Sequence, residues 1–123
     1  MLLLAFCAAQ QPCALPAASV RHVLPYVRPV GGHITWRGER LPLLDVCLLL
    51  GGEPAPAHYS TRVLVCDGFA LLVALATDTL DAPEILPPPQ GTPLWVSGAV
   101  QTQGRTWWVL CEQTLAGEAA AHA

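Results

Sequence analysis

Catalytic chemistry in this chain would have to be assembled from five cysteines (Cys7, Cys13, Cys47, Cys66, Cys111), four histidines (His22, His33, His58, His122) and three serines (Ser19, Ser60, Ser97). Their spacing does not assemble it. There is no Cys-x-x-Cys or His-x-x-x-His for a metal, no Gly-x-Ser-x-Gly, and no glycine-rich loop for a phosphate. The cysteines are odd in number and lie mostly within apolar runs, so they read as small core residues of a reducing compartment rather than as a disulfide framework. No metal or other cofactor is expected. One catalytic arrangement stays open because such groups meet in space rather than in sequence: Cys66 or Cys111 as nucleophile, with His33 or His58 as base, would make a small cytoplasmic thiol or redox enzyme.

The other residue types able to do chemistry are those of recognition. Trp36, Trp95, Trp107, Trp108 and Arg37 are the kinds that dominate binding hot spots, although a core position is the favoured reading for each tryptophan. The chain is 53% hydrophobic and only 12% charged, so much of its surface must be buried against itself or against partners. A net charge of −3 without a basic cluster removes the electrostatic footprint of nucleic-acid binding. At 123 residues one domain is expected. Residues 1–9 are apolar but lack a basic leader, which favours a first strand over an export signal with Cys7 as lipid acceptor. No apolar run approaches the roughly 18 residues of a membrane helix, so no direct membrane insertion is expected.

Arg37 would be positioned by a hairpin. Residues 33–36 and 41–44 flank a polar stretch with Gly38 inside it, and Gly38 can take φ > 0 without a Cβ penalty, leaving Arg37 at the tip. Asp45 then stands where a carboxylate caps a short helix over residues 46–50, with glycine closing it at 51–52. Elsewhere, residues 2–9 and 13–15 read as a first hairpin across the break at residues 10–12. Pro16 followed by Val20, Val23 and Leu24 at helical spacing predicts a short helix ending at Pro25. Residues 62–66 and 69–76 are joined by Asp67-Gly68, a type I′ signal, and the second of these strands is apolar on both faces, so it should lie where two layers meet. Residues 77–80 read as a strand end or turn containing Asp78, and the proline-rich stretch 81–93 as an extended connection. Residues 95–100 and 106–111 make a last hairpin across Gln103-Gly104. Residues 112–115 start a short helix, and residues 118–123 should form a frayed tail. The class is mainly β.

The string Gly32-x-Ile34-x-x-Arg37-Gly38-x-x-Leu41-Pro42-Leu43-Leu44-Asp45-Val46 resembles the central signature of the CheW-like domain, the coupling module of bacterial chemotaxis. Thr35 and Trp36 stand where that family usually has Asn and Leu. The pattern Ala14-Leu15-Pro16 followed by Val20 and Val23 is similar to the family as well, as are Asp78, Trp95 and Gly98, whereas Cys111 occupies a place where Asp is frequent. Residues 25–31 cross to the hairpin by a shorter route than in many members. The resemblance extends over residues 3–115.

It implies two small SH3-like five-stranded barrels sharing an apolar core, with a few short helices, intertwined in a single domain over residues 1–117. It implies a non-catalytic adaptor that couples the cytoplasmic tip of a chemoreceptor to the regulatory domain of a CheA-type histidine kinase. Such a protein is cytoplasmic, is recruited to membrane-associated receptor arrays, and needs no cofactor. Val20, Arg37 and Gly38 match the positions associated with partner binding. Gly32, Pro42, Asp45 and Gly98 match structural positions of the pattern, and Asp67 and Gly68 stand beside them as structural residues through the hairpin signal they form themselves.

Overall fold

A computed structural model describes residues 1–25, 31–55, 60–82 and 84–121, with backbone alone at 75–78. Nine strands carry about half of the described residues: β1 (Leu2–Ala8), β2 (Gln11–Pro16), β3 (His22–Pro25), β4 (His33–Trp36), β5 (Glu39–Asp45), β6 (Thr61–Val65), β7 (Ala70–Asp81), β8 (Val96–Thr102) and β9 (Arg105–Leu110). Among the described residues two helices, α1 (Val46–Leu49) and α2 (Glu112–Ala121), follow β5 and β9. The fold is mainly β, with a 3-10 turn at Ala17–Ser19.

The doubly apolar strand organises the rest. Along one edge the first residues of β7 pair antiparallel with β6, from Val65↔Ala70 to Thr61↔Ala74. Along the other they pair parallel with β5, from Leu43↔Ala70 to Asp45↔Leu72, before β1 takes over between Cys7↔Ala74 and Leu2↔Asp81. Strands β3 to β7 therefore form one group of five, and the far end of β7 joins β1, β2, β9 and β8 in a second. Hydrogen bonding among the described residues leaves the path open, ending at β3 and β8.

Alternate side chains of β7 enter different clusters, which is why both of its faces are apolar. Leu71 and Val73, with Phe69 just before the strand, join a main core with Phe6, Leu15, Val46, Leu64, Leu110 and Leu115, residues drawn from both strand groups and both helices. Ala70 and Leu72 pack instead with Ile34, Leu41, Val63 and Val65 under the central hairpin. Leu80, at the far end of the strand, belongs to a third cluster with Leu3, Val100 and Trp107.

The structure departs from the sequence reading in several places. Residues 20–24 are not helical: helix-like winding is confined to the 3-10 turn, Val20 is already extended (φ −103°, ψ 116°), and β3 lies against β6 from His22↔Val65 to Pro25↔Arg62. So short an apolar pattern cannot separate a period of 3.6 from one of 2, and pairing with an exposed sheet edge outweighs an isolated helical turn. The strand begun at residue 70 does not end at 76 but runs to Asp81, with Asp78 opposite Ala5, because the β1 backbone needs partners whatever the local polarity. The Asp67-Gly68 reversal is not type I′, since only Gly68 is left-handed (φ +81°) while the Cys66 N–H donates to the Phe69 carbonyl. A wider loop spares Asp67 a left-handed backbone. Finally, α2 continues through Gly117 to Ala121, so that residues 118–121 of the expected frayed tail are helical, while residues 122–123 lie outside the described residues. Leu115 and Ala119, four residues apart, bury one face of it, and alanine is the best helix former.

Gly98 shows how the proline-rich connection is held. Leu86 exchanges backbone hydrogen bonds of 2.8 and 3.0 Å with Ala99, and a Cβ on Gly98 would lie 2.6 Å from Ile85 Cγ2 and 2.8 Å from the Leu86 carbonyl oxygen. Gly98→Ala should therefore destabilise the fold by about 1–3 kcal/mol through forced backbone displacement. Chemical denaturation measures it, and an unchanged midpoint would contradict the close approach.

Candidate functional site

The central hairpin forms as its residues dictate. Strands β4 and β5 pair from His33↔Pro42 to Trp36↔Glu39, so the loop is the two residues Arg37 and Gly38, both left-handed at φ +51° and +77°. That is a type I′ geometry, whose twist matches the flanking strands. At the other end Gly31 and Gly32 are also left-handed, and the Leu43 N–H donates to the Gly32 carbonyl at 2.9 Å. Pro42 stands where β5 passes from the β4 ladder to the β7 ladder, a junction at which a missing N–H costs little.

Asp45 fixes the base of the hairpin. Its Oδ1 accepts from the N–H groups of Cys47 (2.9 Å) and Leu48 (3.4 Å), capping α1, and its Oδ2 accepts from the Ala55 N–H at 2.8 Å. One carboxylate thus starts the helix and pins the loop that returns past it. Gly51, at φ +79°, closes the helix.

At the tip the Arg37 side chain folds back. Its guanidinium carbon lies 4.5 Å from the centroid of the Trp36 ring, a cation–π arrangement. Trp36 is half-buried against the hairpin cluster, and Arg37 itself is exposed. The His22 ring from β3 approaches the same indole, 6.0 Å between centroids and tilted by 32°. His22 carries no role in the sequence reading, because the contact depends on β3 lying beside the hairpin and β3 looks helical in sequence. Val20 does not join this group: it packs against the main core. Asp67, Gly68 and Gly98 are turn and packing residues remote in sequence from the tip.

The thiols differ in their surroundings. All five cysteines are free. Burial pushes the Cys13 and Cys66 thiols up to about 12, the charge of Glu112 adding to the effect on Cys66, and burial also raises Cys47. A thiol raised in this way keeps its proton at neutral pH, which disfavours Cys66 as a nucleophile. Cys111, half-buried ahead of α2, is lowered because the Thr114 hydroxyl and N–H donate to its sulfur. His33 is engaged within the hairpin, its Nδ1 2.9 Å from the Gly31 carbonyl oxygen, while His58 lies outside the described residues. Among the described residues no three His, Cys, Asp or Glu side chains are grouped to hold a metal ion, and no helix is long and apolar enough to cross a membrane.

The comparisons with known proteins agree with this architecture. The family model for the CheW-like domain matches residues 2–119. In three dimensions the chain is similar to the scaffolding protein TtCheW from Thermoanaerobacter tengcongensis, with a TM-score of 0.78 at 20% identity, covering 89% of this chain and 82% of that one. No curated protein matches the chain.

Proposed function

Because the chain belongs to the CheW-like domain family, a family of scaffolds and adaptors, we propose that it is a non-catalytic coupling protein of chemotaxis or of pilus-driven motility. It joins the cytoplasmic tip of a chemoreceptor to the regulatory domain of a CheA-type histidine kinase. It acts as a single domain of two intertwined strand groups, in the cytoplasm, at membrane-associated receptor arrays. The observation that carries the reading is the family match over nearly the whole chain. An exposed arginine on a rigid two-residue turn is the kind of feature such an adaptor would use.

Mechanism here means geometry and affinity. Val20, Arg37 and Gly38 serve the receptor side. The test is reconstitution: the purified chain, a receptor cytoplasmic fragment and the kinase should elute as one complex, and Cys66→Ser or Cys111→Ser should leave that complex intact. Failure to bind either partner would retire the adaptor reading. A Cys111→Ser variant that folds and binds normally yet loses function in the cell would move it toward a thiol enzyme.

A further inference from the structure

The charge of the chain is unevenly placed. All six basic residues are arginines, and Arg21, Arg28, Arg37, Arg40 and Arg62 lie between positions 21 and 62, opposed there only by Glu39, Asp45 and Glu53. Beyond them Arg105 stands alone against Asp67, Asp78, Asp81, Glu84, Glu112 and Glu118. The acidic residues of the first segment are partly committed, since Asp45 is tied into three backbone hydrogen bonds. The stretch that builds the central hairpin and β3 is thus the basic part of an acidic protein.

Within it the arginines differ in what they do. Arg21 pairs with Asp67 at 3.7 Å, and Arg40 reaches the His33 ring at 3.5 Å. Among the described residues no carboxylate lies within ion-pair distance of the Arg37 guanidinium, whose contact is the indole face. Stacking uses the flat face of a guanidinium and leaves its N–H donors pointing outward in the plane, the fork that accepts a carboxylate through two parallel bonds. It also removes rotamer freedom before any partner arrives. The ring is itself held: one part packs on the hairpin cluster and His22 approaches from β3.

We propose that Trp36 is a positioning residue for the Arg37 docking surface, holding the guanidinium so that its edge meets a carboxylate of an acidic partner segment whose apolar neighbour covers the exposed part of the indole. This deepens the coupling reading and rests on it, the partner segment being part of the receptor fragment. Leucine at position 36 keeps an apolar cap on the cluster but offers no π face, so it separates positioning from packing.

The experiment is a double-mutant cycle. Wild type, Trp36→Leu, Arg37→Ala and the double variant are titrated against the purified receptor cytoplasmic fragment, with melting curves recorded for each. Trp36→Leu should weaken binding about fivefold, as loss of a partly desolvated cation–π contact does, whereas in the Arg37→Ala background the same change should cost less than about twofold. Trp36→Phe should recover most of the loss, and raising salt should weaken wild type more than Arg37→Ala. Full affinity for Trp36→Leu beside a weakened Arg37→Ala would overturn this inference and leave the coupling reading standing. Losses that simply add would also overturn it, because an indole that only packs is indifferent to residue 37. Salt-insensitive binding would overturn the acidic partner. If Arg37→Ala binds as wild type does, the receptor-side assignment fails first and this one with it.

Discussion

Leu72→Asp should abolish folding. Leu72 sits in β7 with Val63 of β6 opposite it on one edge and Asp45 of β5 on the other, and its side chain, 5% exposed, is packed with Ile34, Leu41 and Val65. Replacing it removes a buried leucine, about 2–5 kcal/mol with the cavity included. The new carboxylate, placed within an apolar cluster, adds a burial penalty of several kcal/mol or must take up a proton. Together these match the roughly 5–15 kcal/mol by which small domains are stable. The soluble fraction after expression and the circular dichroism of any recovered protein measure the effect. A cooperative melt within a few degrees of wild type would show that β7 is not central. Leu94→Asp is the matching control: at 92% exposure the same change should cost almost nothing.

That contrast bears on what could be read from the chain alone. Burial of residues 69–73 is legible because a run apolar on both faces has only one kind of home, between two covered layers, and the clusters on the two sides of β7 supply it. Two reversals, at Arg37-Gly38 and Gln103-Gly104, are legible for a local reason: a glycine at the second position of a two-residue loop relieves the left-handed backbone that a type I′ turn imposes. The turn at Ala9 and Gln10 has the same left-handed geometry, φ +50° and +66°, with no glycine to announce it, so the break looks displaced to residues 10–12. There the β1–β2 ladder, six pairs long, fixes the turn against local preference.

What was illegible depended on distant neighbours. Residues 22–25 have helical spacing in isolation, but they complete the edge of β6. The alanine-rich end looks too weak to hold a helix until Leu115 and Ala119 find the main core. The site divides in the same way. Arg37, Gly38 and Asp45 follow from the hairpin and its cap, both local. The indole beneath Arg37 is its own chain neighbour, whereas the imidazole beside that indole comes from β3, a tertiary contact that spacing does not encode.

Arg37→Ala should weaken receptor binding about thirtyfold while leaving the fold nearly unchanged. The stability side follows from the turn. Arg37 already carries a left-handed backbone, and alanine there meets a similar strain while Gly38 keeps its own φ of +77°. What the fold loses is one exposed cation–π contact, about 0.5–1 kcal/mol. The binding side is larger because a fixed guanidinium spends little entropy on docking and its donors lose water only when a carboxylate replaces it. Truncating such an arginine typically costs about 2 kcal/mol, which is the thirtyfold. A turn arginine that merely faces solvent predicts the same small stability change and no change in affinity, so only the titration separates the two. Equal affinities of mutant and wild type for the receptor fragment would make the stacked guanidinium a feature of the hairpin alone.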